Sequence, residues 1–328
     1  MIYEKGYKTE TSIDCFSSCL FNHLDYMNIC INKYETFLLG GGLDVSFAWG
    51  IKEFLSTDQH IADVYIRAMQ LYGIELHKMV CETNPKDFLI SAIKSEKNIM
   101  ILLDTSKLSY NKVFTRNEAT GHFVNVIGYR NNQVYISDGY VPTRVLSIFE
   151  GWISIEALLD IWSVYGYYYI EIAITDIEEV NKIISNQNMI STIKLDLQHY
   201  LNGGVDNNTG LYHGISAIHN FQRYLEYVLK HEGKELEKFL YRLVYNFKIK
   251  GFFIGKNCIY NLIINIFPDD NVIEKEMQEN IRNWNITMLK ILKIRFEPSN
   301  EYIGRLKNII CVLIEKEINT YRKIIDRM

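Results

Sequence analysis

Apolar and polar positions along this chain follow two periods, and the balance between them changes once. Residues 14–27, DCFSSCLFNHLDYM, put Phe16, Leu20, Leu24 and Met27 on one stripe and Cys15, Cys19, Asn22 and Tyr26 on the next. That 3.6-residue spacing predicts an amphipathic helix, and Ser12 or Asp14 supplies an oxygen to cap its start. Three consecutive glycines, Gly40, Gly41 and Gly42, then predict a loop. Helical spacing returns over 59–72, and IELHKMVC (74–81) predicts a short strand. A second helix is expected over 86–95, entered at Asn84-Pro85, where a first-turn proline is tolerated. Four β-rich runs follow: 98–104, 122–129, 133–139 and 166–175. The middle two are separated by Arg130-Asn131-Asn132, a polar turn of hairpin length. SIEALLDIW, capped by Ser154, predicts a short helix before the last strand.

From about residue 176 the period-2 signal fades and helical spacing dominates to the end. The breaks fall at Asn202-Gly203-Gly204, Phe267-Pro268-Asp269 and Glu297-Pro298-Ser299. The pattern predicts an α+β domain with an antiparallel sheet over 1–175 and an all-helical region over 176–328. There is no internal repeat.

Composition narrows the function classes. The chain has 328 residues, 48 % hydrophobic and 23 % charged, enough apolar content for two packed domains and too much for a disordered chain. Thirty-five Lys and Arg against 39 Asp and Glu give a net charge of -4, which supplies no field for nucleic acid or an anionic membrane. The polar N-terminus lacks a signal-peptide core, and no apolar run approaches a membrane span. A soluble cytoplasmic protein is expected. The six cysteines form no C-x-x-C pair and no zinc spacing, so most of them read as small buried hydrophobes, and no metal or cofactor is called for. The 23 tyrosines belong to a general bias toward Ile, Asn, Lys and Tyr and mark no site.

Three residues nevertheless fit one chemistry. Cys15 opens the first helix, where the positive end of the helix favours a thiolate. His122, after Gly121, begins a buried strand and is placed to act as base and acid. Asp138 closes the next strand, and antiparallel pairing sets the end of one strand beside the start of its neighbour. Asp138 is thus expected to bond the far nitrogen of His122 and fix its tautomer. Taken singly, Cys15 reads equally as a core thiol, His122 as a strand-edge residue and Asp138 before Gly139 as a turn residue. The combination carries the inference. Cys19, one turn inside the helix, is the competing nucleophile and the one expected to be packed away. The other histidines, 23, 60, 77, 199, 213, 219 and 231, lack comparable context. No Gly-Lys-Ser/Thr follows the triple glycine, so the loop does not read as a phosphate site.

These residues also carry a family resemblance. Asp14 to Leu24, Glu35 to Leu43, and Gly121-His122-Phe123-Val124-Asn125-Val126-Ile127-Gly128-Tyr129 with Ser137-Asp138 resemble the N-terminal domain of the butirosin biosynthesis protein H family. They resemble the double-glycine bacteriocin-processing peptidases more distantly. Thr209 to Ile215 and Lys250 to Gly255 are similar to the helical region that follows this domain in many members. Asp14 stands where relatives often have His. The resemblance implies a papain-like fold with Cys15 as nucleophile, His122 as base and Asp138 as orienting acid. It implies an acyltransferase that passes an acyl group from an acyl-carrier-protein thioester to a small amine in antibiotic-type biosynthesis. A cysteine peptidase or amidase, and a non-catalytic protein that binds a carrier protein or metabolite, are the alternatives. The apolar helical half makes a homodimer an expectation by base rate.

Overall fold

The computed structural model describes residues 2–3, 6–48, 61–110, 120–141, 147–186, 188–207, 210–249 and 251–328. Residues 59 and 60 of the helix expected over 59–72, with His60, lie outside them, as do Thr209 and Lys250 of the glycine-bearing motifs. In chain order the elements are β1 (Ile2–Tyr3), α1 (Cys15–Tyr26), α2 (Lys33–Leu39), β2 (Ser46–Ala48), α3 (Ile61–Leu71), β3 (Ile74–Val80), α4 (Pro85–Lys94), β4 (Ile99–Asp104), β5 (Gly121–Arg130), β6 (Gln133–Val141), β7 (Ser147–Ser154), α5 (Ile155–Ser163) and β8 (Tyr168–Ile174). There follow α6 (Ile177–Ser185), α7 (Met189–Asn202), β9 (Gly204–Val205), β10 (Leu211–His213), α8 (Gly214–Tyr227), α9 (Gly233–Ile249), α10 (Phe252–Ile266), α11 (Asn271–Leu292) and α12 (Asn300–Arg327). The fold is α+β with an antiparallel sheet and a helical C-terminal region.

Compactness divides the chain at other points than the change of period at residue 176. One unit is 1–33 with 65–187, and the other is 34–64 with 188–328. Helix α6 stays with the first unit because its side chains reach back: Val180 is buried, and Ile183 lies 3.7 Å from where a Cβ on Gly73 would stand.

The first unit is built on one antiparallel sheet in the order β3-β8-β4-β5-β6-β7. β4 lies along the first half of β5, and β1 pairs with its second half at Tyr3↔Gly128. The hairpin between β5 and β6 turns on Asn131 and Asn132, with φ of 44° and 63°, the two positive values that a tight right-twisted hairpin turn demands. β5 is buried from His122 to Gly128 because both faces are covered. Val124 and Val126 join Leu89, Ile93, Leu158 and Trp162 in the core under α4 and α5. Between them, Phe123 meets Phe16 of α1 edge-on at 5.2 Å, and Asn125 bonds the Cys19 carbonyl. Alternation along one strand thus fastens α1 to one face and α4 and α5 to the other.

Two expected details come out differently. Ser154 stands at the N-cap of α5, but its hydroxyl makes no capping bond. β7 was not legible in the sequence: its inward and outward positions are all half-buried or exposed, so its alternation is weak.

The second unit is helical, but not wholly so. β9 and β10 pair with each other, and β10 also pairs with β2. This corrects the all-helical expectation for 176–328; strands of two and three residues are too short to show a period. The triple-glycine loop serves close packing here: a Cβ on Gly40 would lie 2.0 Å from the Val64 carbonyl oxygen, and one on Gly42 would lie 2.3 Å from the Phe37 ring. Among the described residues no helix is long and apolar enough to cross a membrane.

Candidate active site

Asp14, not Ser12, fixes the start of α1. Its carboxylate accepts the Ser17 N–H at 3.0 Å, and Ser17 Oγ accepts the Asp14 N–H at 3.0 Å. This reciprocal capping box makes Cys15 the first helical residue, where backbone N–H groups lack helical partners and point outward. The segment before it is pinned against the helix. Asn22 accepts the Glu10 N–H and donates to the Glu10 carbonyl, and Ser18 Oγ accepts the Ser12 N–H. Asn22 therefore clamps the entering chain. Gly139 lets that chain pass: a Cβ there would stand 2.3 Å from the Glu10 carbonyl oxygen.

The pairing of β5 and β6 ends at Asn125↔Ser137, and His122 and Asp138 lie just beyond that end, one on each strand. His122 Nε2 and Asp138 Oδ2 are 2.8 Å apart, and both side chains are almost wholly buried. The Tyr110 hydroxyl donates to the same Oδ2 at 2.7 Å, and the Tyr140 N–H donates to Oδ1 at 3.0 Å. Both carboxylate oxygens are engaged. Tyr110 itself is held flat on Phe149, with ring centroids 3.9 Å apart.

His122 also hydrogen-bonds the Cys15 side chain. With Nε2 engaged by Asp138, Nδ1 is the nitrogen left to face the thiol. Burial alone would lower the pKa of His122. The charges of Asp138 and of Cys15 as thiolate, with hydrogen bonds to both, overcome this and raise it to about 10. Burial pushes Asp138 the other way, but the His122 charge and the bonds from His122, Tyr110 and Tyr140 leave it below its ordinary value. Each partner thus favours the charged form of the other. Burial, then the Asp138 charge, lift the Tyr110 phenol well above its usual range, so it remains a donor.

Cys15 is half-buried and Cys19 fully buried. Burial, followed by the charges of Asp138 and Cys15, raises the Cys19 thiol well above the ordinary value. The arrangement brings Cys15, His122 and Asp138 together and leaves Cys19 protonated in the core. All six cysteines are free; Cys19, Cys81 and Cys258 are buried, Cys15 and Cys311 half-buried, and Cys30 exposed.

The other histidines lie elsewhere. His23, on the last turn of α1, is buried with Nε2 toward the Ile99 carbonyl, and burial lowers its pKa to about 4. His77 lies on the surface beside Glu75, and His219 is exposed. His199 and His213 face Asp44 in the second unit. Among the described residues no group of three or more His, Cys, Asp or Glu side chains could hold a metal ion.

Sequence reasoning missed Tyr110, and nothing separates it from the other tyrosines. It also missed the supporting layer: Asn125 donates to the Tyr7 hydroxyl at 2.5 Å and to the Cys19 carbonyl at 3.0 Å, and Thr9 bonds Ser137 at 2.7 Å. Asn125 was detectable in principle as an amide inside an otherwise apolar strand.

Geometrically the site is a cysteine–histidine–aspartate set on an α+β domain, with the thiol at a helix start and its partners on adjacent strands. Residues 14–139 match the family model described as butirosin biosynthesis protein H, N-terminal. The match covers less than half of the chain, and the matched stretch includes all three side chains. No curated protein matches the chain.

Proposed function

We propose that this protein is a papain-like cysteine acyltransferase. The observation that carries the reading is His122, buried and charged, bridging a half-exposed thiol at a helix N-terminus and a fully engaged carboxylate. The matched family's description names butirosin biosynthesis, which supports a role in making an antibiotic-type metabolite.

In the proposed reaction the Cys15 sulfur attacks the carbonyl carbon of an acyl-carrier-protein thioester. The tetrahedral oxyanion forms in front of the Cys15 N–H at the start of α1. The intermediate collapses, the carrier's sulfur leaves, and the His122 imidazolium gives it a proton. Neutral His122 then removes a proton from the incoming amine as its nitrogen attacks the acyl-enzyme. Collapse releases the amide and restores the thiolate and imidazolium. Asp138 keeps the ring oriented, and Tyr110 keeps Asp138 oriented. A water molecule in place of the amine would make the same site a hydrolase, which is the second reading.

The test is product analysis. The purified chain is loaded from a panel of acyl-carrier thioesters and chased with small primary amines. Amide formation exceeding release of free acid supports the transferase. Free acid alone, with every amine, would replace it with a hydrolase.

A further inference from the structure

We infer that the helical unit contains a second site, at Asp44 and Asp196, that binds an organic ammonium group. It stands on side chains that the thiol chemistry does not use. Asp44 follows the triple-glycine loop and is buried. Its Oδ1 accepts the Gly214 N–H at 2.9 Å. Its Oδ2 faces His213 Nδ1 at 3.2 Å and His199 Nε2 at 3.7 Å. Asp196 and His199 are three apart on α7 and so share a helix face.

Asp196 is the group with an unmet need. It receives the Leu43 N–H, but its Oδ2 is buried and has no hydrogen-bond partner among the described residues. Buried carboxylate oxygens in folded proteins are ordinarily paired. Burial and the neighbouring charge of Asp44 hold the carboxyl up to about 8. Two carboxyl groups close enough to repel, one with an unused oxygen, call for a positive charge that brings N–H donors. The two histidines do not supply it, since both are directed at Asp44.

Solvent reaches the cluster through the histidines: the His199 side chain is 67 % exposed and that of His213 is 29 %. An anion is excluded by the two carboxyl groups. A transition metal fits poorly, because no three of these side chains stand at ligand geometry. A primary ammonium supplies N–H donors for the free oxygen, and its charge offsets the burial and the Asp44 repulsion that hold Asp196 protonated, so that Asp196 ionises on binding.

The test is calorimetric titration of the full chain with 1,4-diaminobutane, with tetramethylammonium as a cation lacking N–H donors, and with Zn²⁺ and Mn²⁺. The expected result is one saturable site for the diamine, no saturable binding of tetramethylammonium, and at least a tenfold loss of diamine affinity in Asp196→Asn. Asp44 also holds the Gly214 turn, so the second variant is Asp196→Ser rather than a change at Asp44, with folding checked by circular dichroism. Unchanged diamine affinity in both Asp196 variants overturns the inference, as does no binding by the wild type or saturation by a metal that the diamine does not displace. Cys15 acylation is read on the same proteins and stays at the wild-type level, so failure here leaves the proposed function standing.

Discussion

Among the described residues each unit holds an acid–base pair with both side chains almost wholly buried, and the two pairs differ in what surrounds them. In the helical unit Glu317 accepts from Lys256, from the Tyr200 hydroxyl at 2.6 Å and from the Trp284 indole at 2.7 Å. The Lys256 ammonium lies 4.3 Å from the Phe252 ring centroid and within 6 Å of those of Tyr200, Trp284 and Tyr321. Burial lowers its pKa and Glu317 opposes the fall. In the sheet unit Asp138 is as fully engaged as Glu317. Its partner His122, however, has a second ring nitrogen, and that nitrogen meets a half-exposed thiol. A buried pair closed on all sides by aromatic rings organises a core. A buried pair with one remaining edge beside a nucleophile is suited to move a proton. Burial and charge alone do not separate the two; what remains open does.

The largest expected effect that sharpens this contrast is at Cys15. Cys15→Ala removes all turnover while the thermal midpoint stays close to wild type, since a half-buried side chain loses little packing. Loss of His122 comes next: His122→Ala lowers the acylation rate by about 10²–10⁴-fold, the usual worth of positioned acid–base catalysis. Asp138→Asn lowers it less, because the ring keeps its thiol-facing nitrogen. Equal or reversed losses would assign the orienting role to another group.

In the helical unit the same kind of deletion acts on stability. Lys256→Met strands the Glu317 charge among rings and costs about 3–5 kcal/mol in urea unfolding, while the acylation rate of the folded protein is unchanged. Adding Glu317→Leu recovers part of that loss. The smallest effect is at Tyr110. Tyr110→Phe leaves Asp138 with one donor fewer and costs about 1 kcal/mol, read as a few-fold slower acylation with a displaced pH profile.

Two buried histidines give a pH test. His122 is raised from 6.5 to about 10 on folding, so the fold favours its charged form. That stabilisation is complete below about pH 6.5 and is lost as pH rises through about 10. His23 is lowered from 6.5 to about 4, so its contribution is lost as pH falls through that interval. Unfolding free energies measured from pH 6.5 to 10 decline less steeply in His122→Ala than in the wild type.

Much of this was legible in the sequence, for identifiable reasons. α1, α4, β3, β4 and the β5–β6 hairpin announce themselves by strong periods and by Asp14, Asn84-Pro85 and Asn131-Asn132, whose local chemistry fixes caps and turns. Cys15 and His122 stand at the starts of such elements, and Asp138, inside a β6 that runs on to Val141, lies where β6 leaves its pairing with β5. What stayed hidden is non-local. β7 has weak alternation, and β9 and β10 are too brief to show a period. Tyr110 follows β4 and meets Asp138 only once the sheet is assembled. The grouping of 34–64 with 188–328 depends on the β2–β10 pairing and on close approaches such as Gly255 to the Gly42 carbonyl, which no local pattern records.

The most direct measurement is the intact mass of the wild type and of Cys15→Ala after incubation with acyl thioesters on small thiol carriers. The account predicts an increase equal to one acyl group in the wild type, absent in Cys15→Ala and retained in Cys19→Ala. An adduct that persists in Cys15→Ala and disappears in Cys19→Ala would contradict it.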